Sequence, residues 1–139
     1  MSDITVTAAK VGAIFPDKAE IYDFIAGATI TAGQPVYVAS TGKVSPADAN
    51  ASGKEQVRGI ALNGGGAGQA ISVLKRGHCG GFTLSGAYDS IAYLSDTVGA
   101  LADAAGTMSV PVGRVVPLSD ASLTKVLYVD ARWGGLNWS

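Results

Sequence analysis

Adjacent His78 and Cys79 are the residues best equipped for chemistry, because an imidazole can take a thiol proton and leave a nucleophilic thiolate. They are also the one His and the one Cys of the chain. Neighbours on an extended strand point to opposite faces, which sets these two side chains apart. Gly77, Gly80 and Gly81 leave the backbone room to bend there, but no residue pattern supplies the third group that would orient the base. A second candidate is Gly64-Gly65-Gly66-Ala67-Gly68. A Walker loop needs Gly-Lys followed by Ser or Thr, and here Gly68 precedes Gln69. A dinucleotide fingerprint places its glycines between a strand and a helix, whereas Ala70-Ile71-Ser72-Val73-Leu74 alternates like a strand. The glycine run is therefore expected to be a flexible hairpin connection.

Other polar groups are dispersed. Lys75-Arg76 is expected to be a solvated strand end or an ion-pair partner rather than a nucleic-acid patch. The 11 carboxylates, nine of them Asp, fall at turns, where Asp bonds nearby backbone N–H groups. None has the spacing of a calcium loop. One Cys and one His rule out an internal disulfide and a zinc site built from Cys and His. The expectation is a chain that is not an enzyme and uses no cofactor or metal.

Composition says what must position these residues. A chain of 139 residues supports one domain. Its folded surface should be roughly 6,700 Å² against about 20,000 Å² unfolded, enough burial for one core without cross-links. Ala (22) and Gly (19) outnumber Val, Ile and Leu (31), while Phe, Trp and Tyr total only 10, so thin, closely packed layers with many turns are expected. Charged residues are 15%, the reverse of a disordered composition. A net charge of −1 disfavours nucleic acid as a partner, since phosphate contacts call for a basic surface. Met1-Ser2-Asp3-Ile4 has no basic region leading into an apolar run, so no signal peptide is expected. The longest uncharged stretch, Phe24 to Gly42, carries Thr29, Thr31, Gln34, Pro35, Ser40 and Thr41 and does not suit a membrane span. Synthesis in a reducing bacterial cytoplasm is the expectation.

Short β-rich runs between turn signals predict an all-β chain, a compact sandwich or barrel-like domain with at most short helices. Strands are predicted near Ile21–Ile25, Val36–Ala39, Val57–Leu62, Ala70–Leu74, Phe82–Leu84, Ile91–Leu94, Val110–Val116 and Lys125–Val129. Turns are predicted at Thr41-Gly42, through Asn63–Gly68, at Asp96–Gly99 and at Ser119-Asp120-Ala121. Ser45 as N-cap and Pro46 at the first position predict one helical turn over Ser45–Asn50. Gly42 to Gly99, Gly59 to Gly113 and Ile71 to Val126 are separated by 57, 54 and 55 positions. That near-constant spacing motivates two similar half-units, 33–75 and 88–130, the alternative being coincidence in a β-rich chain.

The ends differ from the body, taken as residues 21–139. Residues 1–20 alternate small and polar side chains up to Ile14-Phe15-Pro16-Asp17, and Pro16 blocks both a central strand and a helix. They are expected to form an extended arm that adds a strand to a partner's sheet edge, with Ile14 and Phe15 as apolar anchors. Trp133 and Trp138 either plug the end of the domain or anchor an interface, where Trp is enriched. Tyr22 and Phe24 complete the candidate partner-binding residues.

Three segments in order carry a family resemblance: Thr31-Ala-Gly-Gln-Pro-Val-Tyr-Val-Ala-Ser-Thr-Gly-Lys-Val44; Arg58-Gly-Ile-Ala-Leu-Asn-Gly-Gly-Gly-Ala-Gly-Gln-Ala-Ile-Ser-Val-Leu-Lys-Arg76; and Tyr93-Leu-Ser-Asp-Thr97 with Val112-Gly-Arg-Val-Val116. Together, over about residues 25–130, they resemble the small capsid decoration, or cement, proteins of tailed bacteriophages. The resemblance implies a β-rich virion protein on the outer capsid surface, binding the major capsid protein and itself, commonly as a trimer, with no catalytic residue. The base domain of a head or tail fibre is the first alternative. A small-ligand enzyme using the glycine loop and His78 is the second.

Overall fold

The computed structural model describes residues 3–50 and 52–131. In chain order its strands are β1 (Thr5–Val6), β2 (Gly12–Ala13), β3 (Glu20–Ile25), β4 (Pro35–Val38), β5 (Val44–Pro46) and β6 (Val57–Ala61). β7 (Ala70–Gly80), β8 (Phe82–Thr83), β9 (Ile91–Leu94), β10 (Leu101–Ala102), β11 (Pro111–Ser119) and β12 (Ser122–Asp130) follow. Two single-turn 3-10 helices, Ala8–Lys10 and Pro16–Lys18, precede β3. Strand makes up 49% of the described residues and helix 5%, so the fold is all-β, an antiparallel sheet curled into a half-barrel. No helix among the described residues is long and apolar enough to cross a membrane.

The sheet runs β10-β9-β11-β12-β7-β6-β4-β5, with β2 and β3 also on β7 and a separate β1-β8 pair. β7 organises the whole. Val73 pairs Tyr22 on one edge and Ala61 on the other; Arg76 pairs Glu20 and Asp130; Cys79 pairs Ala13 and Leu127. One edge of β7 therefore carries β3 and then β2, and the other carries β6 and then β12.

Each face of β7 contributes to a core. Ile71 and Val73 enter a small core with Ala26, Ile30, Val36, Val44 and Ala61. Leu74 and Cys79 enter a larger core with Ile60, Leu94, Leu101, Val112 and Leu127. On a strictly alternating strand Val73 and Cys79 would share a face. They do not share a core, so the alternation slips between Leu74 and Cys79, where β3 also shifts register between Glu20 and Ile21.

Segments 33–75 and 88–130 have the same strand order, β5-β4-β6-β7 and β10-β9-β11-β12. Their registers correspond as well. Pro35 pairs Ile60, Val36 pairs Gly59 and, past an extra residue on β6, Tyr37 pairs Val57. Ile91 pairs Arg114, Ala92 pairs Gly113 and, past an extra residue on β11, Tyr93 pairs Pro111. At each bulge a glycine meets backbone: a Cβ on Gly59 would overlap the Leu74 carbonyl oxygen, and one on Gly113 that of Tyr128. Before β4 and β9 the chain turns through positive φ, at Gly33 (95°) and Asp89 (67°). The Gly33 N–H donates to the Ala61 carbonyl, and the Asp89 N–H to that of Val115.

Two expectations are corrected. Ser45–Asn50 forms no helical turn, because Ser45 and Pro46 lie in β5, paired with Tyr37 and Val36. At an edge strand Pro46 gives up no ladder bond that the sheet needs. The Asp48 carboxylate instead accepts the Asn50 N–H, a local turn. The N-terminal arm is extended but not free: β1 pairs β8, β2 pairs β7, and the Ile4 N–H donates to Leu101. The edge it fills belongs to its own sheet.

The two glycine bulges give a direct check. Gly59→Ala and Gly113→Ala should each cost about 2–4 kcal/mol in urea unfolding, the range for strain at a special backbone site. Gly66→Ala, which meets open space, should stay within about 0.5 kcal/mol. Equal costs at all three would contradict the packing described.

Candidate functional site

His78 and Cys79 lie on opposite faces of β7 and are both occupied by packing. The His78 ring is half-buried between Phe15, 5.0 Å away edge-on, and Tyr128, 5.2 Å away. Burial, and then the positive charge of Lys18, lower its pKa from the ordinary 6.5. Cys79 is fully buried, and its thiol donates to the Gly80 carbonyl at 3.5 Å. Burial pushes the thiol up to about 11, against a smaller opposing effect of a backbone hydrogen bond with Gly12. A thiol held neutral in an apolar core is inert as a nucleophile. Both shifts favour neutral forms. The contribution of His78 to stability is present above pH 6.5 and lost as pH falls; that of Cys79 is present below 9.0 and lost as pH rises towards about 11.

The glycine loop also spends its donors internally. The Gly65 N–H donates to Ile30, Gly66 to the Gln69 Oε1 and Gly68 to Ala26. The Asn63 side chain ties the loop base, accepting the Ser72 N–H and donating to the Ala70 carbonyl. A strand, β7, follows the loop. These amides are not available to cradle a phosphate.

Lys75 and Arg76 form ion pairs. Lys75 lies 3.2 Å from Glu20, while Arg76 lies 3.7 Å from Glu20 and 3.4 Å from Asp130. The cluster joins β3, β7 and β12 where the alternation of β7 slips. Among the described residues no three His, Cys, Asp or Glu side chains gather as a metal site. A shallow pocket lined by Ile4, Leu84, Ser90, Ile91 and Val115 has room for about one water, at 20 Å³.

The expected partner-binding residues separate into three groups. Ile14 and Phe15 are used within the chain: the Ile14 N–H donates to His78, and Phe15 packs on its ring. Tyr22 and Phe24 share a face of β3, Phe24 resting on the small core and Tyr22 exposed at 42%. Trp133 and Trp138 lie outside the described residues. Sequence reasoning missed Ile21 and Ile25, exposed on the other face of β3. The signal was present in Glu20-Ile21-Tyr22-Asp23-Phe24-Ile25, which has large apolar residues at both alternation phases. Leu123 and Tyr88 form a second exposed pair near the end of the β11–β12 hairpin, where the Tyr88 hydroxyl donates to the Leu123 carbonyl. Compared with known proteins, no family model matches the chain and no curated protein matches it.

Cys79 should resist Ellman's reagent at pH 8 in the folded protein and react fully in urea. In an NMR pH titration His78 should ionise below 6.5, and Lys18→Ala should move that midpoint upward. An unchanged midpoint would remove Lys18 as a cause.

Proposed function

We propose that the chain is a structural virion protein that binds the outer surface of a tailed-phage capsid and joins neighbouring major capsid subunits, acting as a homo-oligomer, with a trimer the expected form. The resemblance of residues 25–130 to phage decoration proteins motivates this reading. The observation that carries it is β3, which exposes Ile21 and Ile25 on one face and Tyr22 on the other. Large apolar side chains left exposed together on one strand are a mark of interaction surfaces. Each contact is small, but several per oligomer combine through effective concentration, so release is slow.

The enzyme alternative has less support. His78 is wedged between two rings, Cys79 is buried, and the glycine-loop amides are bonded within the fold. Co-sedimentation with capsids lacking the protein tests the proposal. Ile21→Lys and Ile25→Lys together should weaken capsid binding at least about tenfold, the loss of roughly 1.4 kcal/mol or more. His78→Ala should bind as the parent does. The reverse pattern would sink the assignment of β3 as the adhesive surface.

A further inference from the structure

The seat of the N-terminal arm on β7 has a counterpart on β3. Ile60 and Ala61 of β6 pair Leu74 and Val73, and Arg114 and Val115 of β11 pair Tyr128 and Leu127. Gly59 and Gly113 precede these residues at matching bulges, so Leu74 corresponds to Tyr128. Ile21 and Tyr22 pair Leu74 and Val73, while His78 and Cys79 pair Tyr128 and Leu127. Ile21-Tyr22-Asp23 therefore holds in the first half of the chain the place that His78-Cys79-Gly80 holds in the second.

In the second half that place is covered. Gly12 and Ala13 of the arm pair Gly80 and Cys79, and the Ile14 N–H donates to the His78 carbonyl. In the first half, among the described residues, no strand pairs the outer edge of β3. The Leu62 N–H donates to the Ser72 carbonyl, so Ser72 turns to β6, and Ile71 and Val73 turn to β3. Their partners Phe24 and Tyr22 spend their backbone groups on β7. Ile21 and Asp23 turn theirs to the open edge, and both residues are exposed.

We infer that this open edge of β3 is a docking site for the N-terminal arm of a second copy of the chain, with Gly12-Ala13-Ile14 antiparallel to Ile21-Tyr22-Asp23. The repeat names the occupant, because the corresponding edge in the second half takes this same segment. Equivalent pairing sets Ile14 beside Ile21 and brings Lys10 within reach of Asp23. Lys10 enters none of the ion pairs among the described residues, and opposite charges across strands favour this register. The arm is lightly held in its own chain, since no residue from Asp3 to Lys18 is fully buried. A half-unit also closes without an arm. In the first half Ala26 bridges Val44, and the Gly27 N–H donates to the Val44 carbonyl. In the second half the arm stands at the matching seam, the Ile4 N–H donating to Leu101, the counterpart of Val44. Exchange of identical elements between copies is a low-cost route to oligomers. An added strand leaves Ile21 and Ile25 facing outward, so docking broadens the face assigned above to the capsid.

Equivalent pairing puts Ala13 of one copy opposite Tyr22 of the next. In a Cys79→Ala background, chains carrying Ala13→Cys mixed with chains carrying Tyr22→Cys should form a disulfide-linked heterodimer in excess of either homodimer, with a yield that rises with concentration. In sedimentation velocity the parent should associate. Asp23→Pro should weaken that association at least about tenfold with an unchanged far-UV spectrum, because the N–H it removes faces the open edge and not β7. A monomeric parent, a heterodimer no more abundant than the homodimers, or association indifferent to Asp23→Pro would overturn the inference. Oligomers that survive Asp23→Pro and still coat capsids would refute it while leaving the capsid reading intact.

Discussion

At Gly59 and Gly113 one strand lies so close to the next that no side-chain carbon fits between an α-carbon and a carbonyl oxygen. The approach is of β6 to β7 and of β11 to β12, and beside these glycines β6 and β11 each carry one extra residue against β4 and β9, which sets their register. Register decides which residues face inward. With it fixed, Val36, Val44, Ala61 and Val73 meet in the small core, while Leu94, Leu101 and Leu127 meet in the larger one. The abundance of Ala and Gly follows from the same requirement for thin layers in close contact.

β7 then couples the two halves mechanically. It is paired on both edges, bounds both cores, and is stapled by Lys75 and Arg76 to Glu20 and Asp130. Exposed ion pairs of this kind contribute little stability each. Their value is positional, holding three strands together where the side-chain alternation slips. His78 and Cys79 lie just beyond that slip and are absorbed into the joint, one in an aromatic stack and one in the core. Two residues equipped for chemistry thereby serve as packing.

Much of this was legible in the sequence. Apolar alternation located β3, β4, β6 and β9 to within a residue or two, and the spacing of Gly59 and Gly113 pointed to similar halves. The second part of β7 was not legible, because Lys75-Arg76-Gly77-His78-Cys79 has no apolar alternation; its strand state comes from partners on both edges. β5 was mistaken for a helix start because Ser-Pro is a local capping signal, and pairing with β4 overrode it. The fate of Ile14 and Phe15 depended on which sheet edge lay nearest, and the nearest edge belonged to the chain itself. The exposure of Ile21 and Ile25 emerged only once β3 was placed at the margin of the sheet.

The proposed role is that of a fastener whose shape and apolar margin do its work. Cryo-electron microscopy of particles assembled with and without it is the most direct measurement. The account predicts added density over the junctions between capsomers, shaped as a half-barrel with the margin that bears Ile21 and Ile25 against the shell. Identical shells in both preparations would contradict it.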